Sequence, residues 1–221
     1  MRTSYHEELD SIIDNLVSMA GLVEVAIREG AESLLTADLT RAESVITNDA
    51  ELDRMHEEME YKCLSLLALQ APVAGELRTI VSAIRVVFEL ARMGDLAAHV
   101  AKIARLRYPA NAVPDQFTDS FREMAQIAIE IVGLARESLQ KRDAVGAQRL
   151  VEIDERMDVL RREQFTLMLG ENSGITVEGA VDVALLGRYF ERFADHAVAV
   201  GRRVIYITTG DVPEGEDWPN A

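Results

Sequence analysis

The chain has 221 residues, 38 of them acidic and 23 basic, which gives a formal net charge of −15 at pH 7. Hydrophobic residues make up 48% of the chain, a share too large for a disordered acidic protein. Affinity for nucleic acid comes mainly from Lys and Arg side chains that neutralise phosphates, so we expect no nucleic-acid partner.

The first two helices are predicted from apolar stripes that step by three and four residues. The first stripe covers residues 9–34, and Ser4 with Glu7 is predicted to form a capping box at its start. Asp38 is placed to cap the second helix. Pro72 marks the next break, because proline does not continue a helix.

A third helix is predicted to run to about Arg107, where two prolines bracket a linker. Pro109 and Pro114 bound this linker, the clearest one in the chain. Ser120 with Glu123 then predicts a second capping box, at the start of a fourth helix.

The remaining part of the chain predicts two further helices. Asp143 is placed to cap a fifth helix that continues to about Leu169, and residues 171–174 form a loop. The sixth helix is predicted from about Thr176 to Thr208.

The second half of the sequence repeats the first. A shift of 105 positions superposes three pairs of aspartates: Asp38 and Asp143, Asp49 and Asp154, Asp53 and Asp158. A shift of 100 positions superposes four residues of the third helix on the sixth: Arg92, Asp95, Ala97 and Val100 on Arg192, Asp195, Ala197 and Val200. We therefore predict an all-α fold of two tandem three-helix bundles related by an internal pseudo-repeat. The predicted domains are 1–108 and 115–210, followed by a disordered acidic tail at 211–221.

The sixth helix carries a charged stripe beside its apolar one. Glu191 and Asp195 are one turn apart, so both carboxylates project from one face and could hold a hard cation. The alternative is a solvated face, or ion pairs with the nearby Arg188, Arg192 and Arg202. Both interpretations stay open on the sequence alone.

The first half carries a weaker version of this stripe. Ala91 stands where the second half has its glutamate, which leaves Asp95 with His99 one turn further on. Glu89 lies on a different face of the helix, and we expect it to pair with Arg92.

Two aspartates interrupt apolar stripes at matching positions of the repeat. Asp49 and Asp154 would be costly to bury unpaired. They are either additional ligands from neighbouring helices or partners of arginine across the bundle, and we favour the arginine pairing. His196 has no partner that its spacing predicts.

Three segments resemble the signatures of PhoU-type phosphate-signalling regulators: Glu76-Leu77-Arg78-Thr79-Ile80, Ala91-Arg92-Met93-Gly94-Asp95 and Phe190-Glu191-Arg192-Phe193-Ala194-Asp195-His196-Ala197. The hallmark of that family is an acid-x-x-x-Asp motif in the last helix of each three-helix half. The resemblance covers about residues 3–210.

This resemblance implies a two-lobed all-α protein with a regulatory role. It implies a non-enzymatic negative regulator of phosphate-starvation signalling, an adaptor that couples the ATPase of a phosphate ABC transporter to a sensor histidine kinase and limits phosphate uptake. Carried over by motif, Asp95, Glu191 and Asp195 would be metal ligands, with His99 as a further candidate. The metal would be iron, manganese, zinc or magnesium. We also expect a homodimer.

Two other classes of protein fit the composition. A ferritin-like di-iron protein normally draws a Glu-x-x-His pair from facing helices, and none of the four histidines has a glutamate three residues before it. A purely structural helical scaffold is the other alternative, against which the duplicated acid motif is the main argument.

The sequence also predicts a cytoplasmic protein that does not enter the membrane. The single Cys63 suits a reducing compartment, and the start of the chain is too polar for a secretory signal. The best apolar stretch, residues 81–104, contains five charged side chains.

Overall fold

The computed structural model of the chain describes residues 2–70, 72–170 and 173–212, with the side chains of residues 2–6 and 70 left aside. The fold is all-α as predicted, and these ranges contain no strand. The helices are α1 (Arg2–Thr36), α2 (Leu39–Gln70), α3 (Ala74–Arg107), α4 (Thr118–Lys141), α5 (Ala144–Gln148), α6 (Leu150–Met168) and α7 (Val177–Thr209).

The six predicted helices are confirmed, with the fifth divided at Arg149 into α5 and α6. The predicted caps at the second helix of each half are confirmed as well. Asp38 accepts a hydrogen bond from the backbone N–H of Arg41 at 3.0 Å, and Asp143 accepts one from Val145 at 3.0 Å. Each aspartate satisfies an N–H group that has no partner inside the helix.

The two predicted capping boxes at the first helix of each half are wrong. Helix α1 begins at Arg2, so Ser4 lies inside it. Helix α4 begins two residues before Ser120, because the 3-10 turn Asp115–Phe117 leads directly into it. The hydroxyl of Ser120 accepts a hydrogen bond from Nε2 of Gln164 at 3.0 Å instead.

The centre of the molecule is the antiparallel pair α3 and α7, which make the most extensive contact between any two helices described. Arg107 at the end of α3 contacts Asp182 near the start of α7. Arg78 near the start of α3 packs against Gly210, which follows α7. Helices α1 and α2 flank α3, and α4, α5 and α6 flank α7, while α1 also packs on α4.

The internal repeat extends to the first helix of each half. The same shift of 105 positions superposes seven buried residues of α1 on buried residues of α4: Leu16 on Phe121, Met19 on Met124, Ala20 on Ala125, Val23 on Ala128, Ile27 on Val132, Ser33 on Ser138 and Leu34 on Leu139. Both halves therefore bury the same face of their first helix against the central pair.

Helix α7 is capped at its end by Gly210, which has a φ of 85° and donates its N–H to the carbonyl of Tyr206. Glycine is suited to this left-handed position because it has no Cβ. The disorder predicted for the tail concerns mainly residues 213–221, which lie outside the described residues. None of the helices in the described ranges combines the length and the apolar character needed to cross a membrane.

Candidate functional site: two acidic clusters

Four carboxylates gather where α6 packs on α7, and we call Asp154, Asp158, Glu191 and Asp195 the second-half cluster. Burial is the main cause that raises the pKa of Asp154 to about 6, together with the negative charges of Asp195, Asp158 and Glu191 and against the opposing charge of Arg202. Asp154 and Asp195 line one cavity of about 370 Å³. The site therefore holds like charges together in partial isolation from water.

The first half repeats this arrangement with three carboxylates, Asp49, Asp53 and Asp95, which we call the first-half cluster. Burial is the main cause that raises the pKa of Asp49, followed by the charges of Asp95 and Asp53, while Lys102 lowers it. No fourth carboxylate comes from α3, because Ala91 occupies the position of the second-half glutamate.

The predicted pairing of Asp49 and Asp154 with arginine is wrong. Among the residues that the structure describes, neither carboxylate lies within ion-pair distance of Lys or Arg. Both face other carboxylates instead. Asp53 and Asp158 were not predicted as site residues, although the repeated Asp-x-x-x-Asp spacing on the second helix of each half places them one turn from Asp49 and Asp154.

Arginines contact the predicted ligands of the second half. Oε1 of Glu191 lies 2.8 Å from Nη1 of Arg188, and Oε2 lies 3.6 Å from Nε of Arg161. Asp195 lies 3.7 Å from Arg192. Arg192 and Asp195 form an exposed contact between residues three apart, which contributes little to stability, whereas the side chain of Glu191 is only 23% exposed.

The predicted ligand of the first half has an arginine partner too. Oδ2 of Asp95 lies 2.9 Å from Nη1 of Arg92. In the described part of the chain, no three His, Cys, Asp or Glu side chains converge closely enough to enclose a metal ion. Carboxylate oxygens do suit a hard divalent cation, and mutual repulsion favours one. Metal binding at these residues stays a prediction, and it requires the arginines to yield their contacts.

His99, the further candidate ligand, faces α7. Its ring packs edge-on against Tyr189, with 5.2 Å between the ring centroids. Burial is the main cause that lowers its pKa, and Lys102 lowers it further, against the opposing charge of Asp95. Within the described ranges, Nδ1 of His99 is buried without a hydrogen-bond partner. A role as ligand stays a prediction, and the ring is held in the α3–α7 interface.

The predicted ion pair of Glu89 with Arg92 is wrong. Oε2 of Glu89 lies 2.6 Å from Nδ1 of His196 on α7, and Arg92 pairs with Asp95. The spacing along α3 could not reveal this partner, because the two residues are 107 positions apart in the sequence.

The comparison with known families identifies both halves. A family model described as the PhoU domain matches residues 16–104 and again residues 121–204. The chain belongs to the PhoU family. The two matches begin 105 positions apart and end 100 positions apart, as the internal repeat does.

Relatives match over all or nearly all of the chain. A protein of Mycobacterium leprae named phosphate-specific transport system accessory protein PhoU homolog 1 is 44% identical over 221 residues, all of both chains. The PhoU homolog 2 of Mycobacterium tuberculosis is 46% identical over 96% of this chain and its own full length.

Solved PhoU structures share the fold. The crystal structure of PhoU from Pseudomonas aeruginosa superposes with a TM-score of 0.86 at 26% identity, covering 94% of this chain and all of that one. A phosphate transport system regulatory protein PhoU from Streptococcus pneumoniae gives 0.85 at 22% identity, covering 94% and 98% of the two chains, which supports the fold alone.

Proposed function

We propose that this PhoU-family protein is an accessory regulator of phosphate transport. The observation that carries the proposal is the 44% identity, over the full length of both chains, with a phosphate-specific transport system accessory protein. The name of that relative describes an accessory of transport, and we propose a regulatory role without catalysis for this chain.

In its finer form, the proposal makes the protein a negative regulator of phosphate-starvation signalling. It would act in the cytoplasm as an adaptor, the physical link that the family resemblance implies between the ATPase of a phosphate ABC transporter and a sensor histidine kinase. Two similar lobes joined along α3 and α7 offer separate surfaces for two partners, which supports an adaptor. Assembly as a homodimer stays a prediction.

Deletion of the gene tests the regulatory role. We expect a reporter fused to a phosphate-responsive promoter to become active at high phosphate in the deletion strain, and the wild-type gene in trans to restore repression. If repression at high phosphate persists in a strain that has no second copy, the regulatory proposal is wrong.

We also propose that the acidic clusters bind a divalent cation, iron, manganese, zinc or magnesium. The support is the gathering of like charges around Asp49 and Asp154, since each added carboxylate increases the repulsion that a cation would relieve. The second-half cluster has four carboxylates and the first-half cluster three, so we expect tighter binding in the second half.

A further inference from the structure

The first half contains an open groove between α1 and α2, with a volume of about 310 Å³. Its apolar lining comes from both helices and consists of Leu22, Val25, Ala26, Val45 and Leu52. A volume of this size is at the lower end of the range for ligand pockets, and it accommodates one or two apolar side chains. We call this feature the α1–α2 groove.

In the second half, the surface equivalent to the α1–α2 groove is covered. Leu22 is 39% exposed, whereas Ile127, its equivalent at a shift of 105 positions, is 0% exposed. Val25 is 54% exposed, and its equivalent is Glu130. Arg156 is the equivalent of Glu51 at the same shift. Its Nη1 lies 2.9 Å from Oε2 of Glu130. An ion pair thus bridges α4 and α6 where the first half leaves apolar surface open.

The rim of the α1–α2 groove is acidic. Glu29, Asp49 and Glu51 line it, against a single arginine, Arg41. Nη1 of Arg41 already lies 2.5 Å from Oε2 of Glu29, and its Nε lies 3.5 Å from Asp38. Apolar surface with an excess of carboxylates around it favours an occupant that is apolar and positively charged.

This charge pattern separates the possible occupants. A second copy of the chain would bring its own acidic rim against this one, and the anionic headgroups of a membrane would be repelled in the same way. A basic segment of another protein complements both the apolar lining and the rim. We propose that the α1–α2 groove binds a segment of a partner protein in which an apolar side chain is flanked by Lys or Arg.

This inference rests on the proposed accessory role and specifies the surface and the partner chemistry that the role would use. Its test is a binding measurement with purified full-length protein, so it can fail without the transcriptional test failing. The probe is a fluorescein-labelled amphipathic helix made of leucine and lysine. Its binding is measured by fluorescence anisotropy at near-physiological salt. The matched leucine–glutamate helix is the second probe.

The decisive variant copies the second half into the first. In V25E/E51R, the new pair reproduces the arrangement of Glu130 and Arg156, and should close the groove. Arg54 loses one of its two partners, Glu51, but keeps Glu58. We expect affinity for the leucine–lysine helix to fall at least about ten-fold. The wild type should bind the leucine–glutamate helix more weakly by a similar factor.

The matched control makes the same change of charge away from the groove. V145E/E155R alters two exposed positions of α5 and α6, and we expect its affinity to stay within about two-fold of the wild type. Circular dichroism and thermal unfolding would establish that both variants fold. Equal losses in the two variants, or no loss in either, would overturn the proposal, because binding would then follow net charge or another surface.

Cross-linking locates the peptide-binding site independently. A benzophenone group on the central leucine of the leucine–lysine helix should label residues 22–52, as read by mass spectrometry, and V25E/E51R should abolish that labelling. Labelling elsewhere would overturn the proposal. Dodecylamine, a small cationic amphiphile, tests for a small-molecule site. If dodecylamine binds, V25E/E51R weakens that binding and the peptide does not bind, the proposal is also overturned.

Discussion

Oε2 of Glu89 lies 2.6 Å from Nδ1 of His196, and this contact joins α3 of the first half to α7 of the second. Both side chains are mostly buried, with exposed fractions of 22% for Glu89 and 14% for His196. Because a carboxylate accepts, Nδ1 of His196 donates the hydrogen bond. The two halves are therefore held together by polar contacts as well as by the apolar core between α3 and α7.

Removing this contact should weaken the protein measurably. We expect His196→Ala to lower the free energy of unfolding by about 1–2 kcal/mol, the loss of one hydrogen bond to a charged acceptor together with some packing. Urea denaturation would measure it. His56→Ala is the control, because His56 is a partly buried histidine of α2, and we expect a change of about 0.5 kcal/mol or less. Equal effects of the two substitutions would contradict a specific role for the Glu89–His196 contact.

Arg107 and Asp182 form a further polar link between α3 and α7. Oδ2 of Asp182 accepts from Nε of Arg107 at 2.6 Å, Oδ1 accepts from Nη2 at 3.1 Å, and the Asp182 side chain is only 5% exposed. Arg107→Ala would leave a buried carboxylate without its partner, so we expect a loss of about 2–4 kcal/mol in the free energy of unfolding.

A double-mutant cycle measures the interaction energy between Arg107 and Asp182. We expect Asp182→Ala to lower the free energy of unfolding less in the background of Arg107→Ala than in the wild type. Urea denaturation should give a coupling energy of about 1–3 kcal/mol. The control is Arg122→Ala, since its partner Asp119 is 97% exposed and such pairs contribute little. Additive losses for Arg107 and Asp182 would show that the two residues stabilise the fold independently.

The helices could be predicted because their signals are local. Apolar periodicity, the caps at Asp38 and Asp143 and the break at Pro72 each depend on residues within a few positions of one another. The contacts between helices could not be predicted in this way. Glu89 and His196 are 107 positions apart, and Arg107 and Asp182 are 75 apart, so spacing within one helix says nothing about them.

The candidate site was predicted only in part, for a related reason. The motif on α7 indicates Glu191 and Asp195, and the internal repeat indicates that Asp49 and Asp154 are equivalent. A buried carboxylate is most often paired with a base, which led to the expectation of arginine partners. Which face of α2 or α6 meets the last helix depends on tertiary packing, and that packing brings carboxylates to Asp49 and Asp154 instead.

Asp154 should make stability depend on pH. Its pKa is raised to about 6 in the folded protein from an ordinary value of 3.8, so the folded state binds the proton more tightly than the unfolded state. Ionisation of Asp154 therefore costs stability above about pH 6, and the cost fades as the pH falls toward 4. We expect Asp154→Asn to raise the free energy of unfolding by about 1–2 kcal/mol at pH 8, after allowance for partial solvent screening, and to have little effect near pH 4.

Urea denaturation across this pH range measures the effect. Glu155→Gln is the matched control, because it removes one charge from an exposed neighbour on the same helix, and we expect a change of about 0.5 kcal/mol or less throughout. If Asp154→Asn raises the free energy of unfolding by the same amount from pH 8 to pH 4, the role of ionisation is contradicted.

Binding of a cation should stabilise the folded protein through the second-half cluster. A ligand that binds only the folded state raises the melting temperature as its concentration rises, so we expect Mn²⁺ to raise the Tm of the wild-type protein. E191Q/D195N removes two of the four carboxylates and keeps the shapes of the side chains, and we expect it to lose most of this rise. The measurement is thermal unfolding at increasing Mn²⁺, with equilibrium dialysis to count bound ions.

Ala91 allows the converse experiment, because it stands where the second half has Glu191. Ala91→Glu in the E191Q/D195N background would give the first-half cluster a fourth carboxylate beside Asp49, Asp53 and Asp95, and we expect Mn²⁺ affinity to recover. Ala91→Gln is the control, since it adds the same volume without the charge. Repulsion among four carboxylates should also make Ala91→Glu less stable than Ala91→Gln in the absence of metal, and more stable at saturating Mn²⁺. If the two variants respond to Mn²⁺ alike, the number of carboxylates does not determine binding, and the metal proposal for this cluster is wrong.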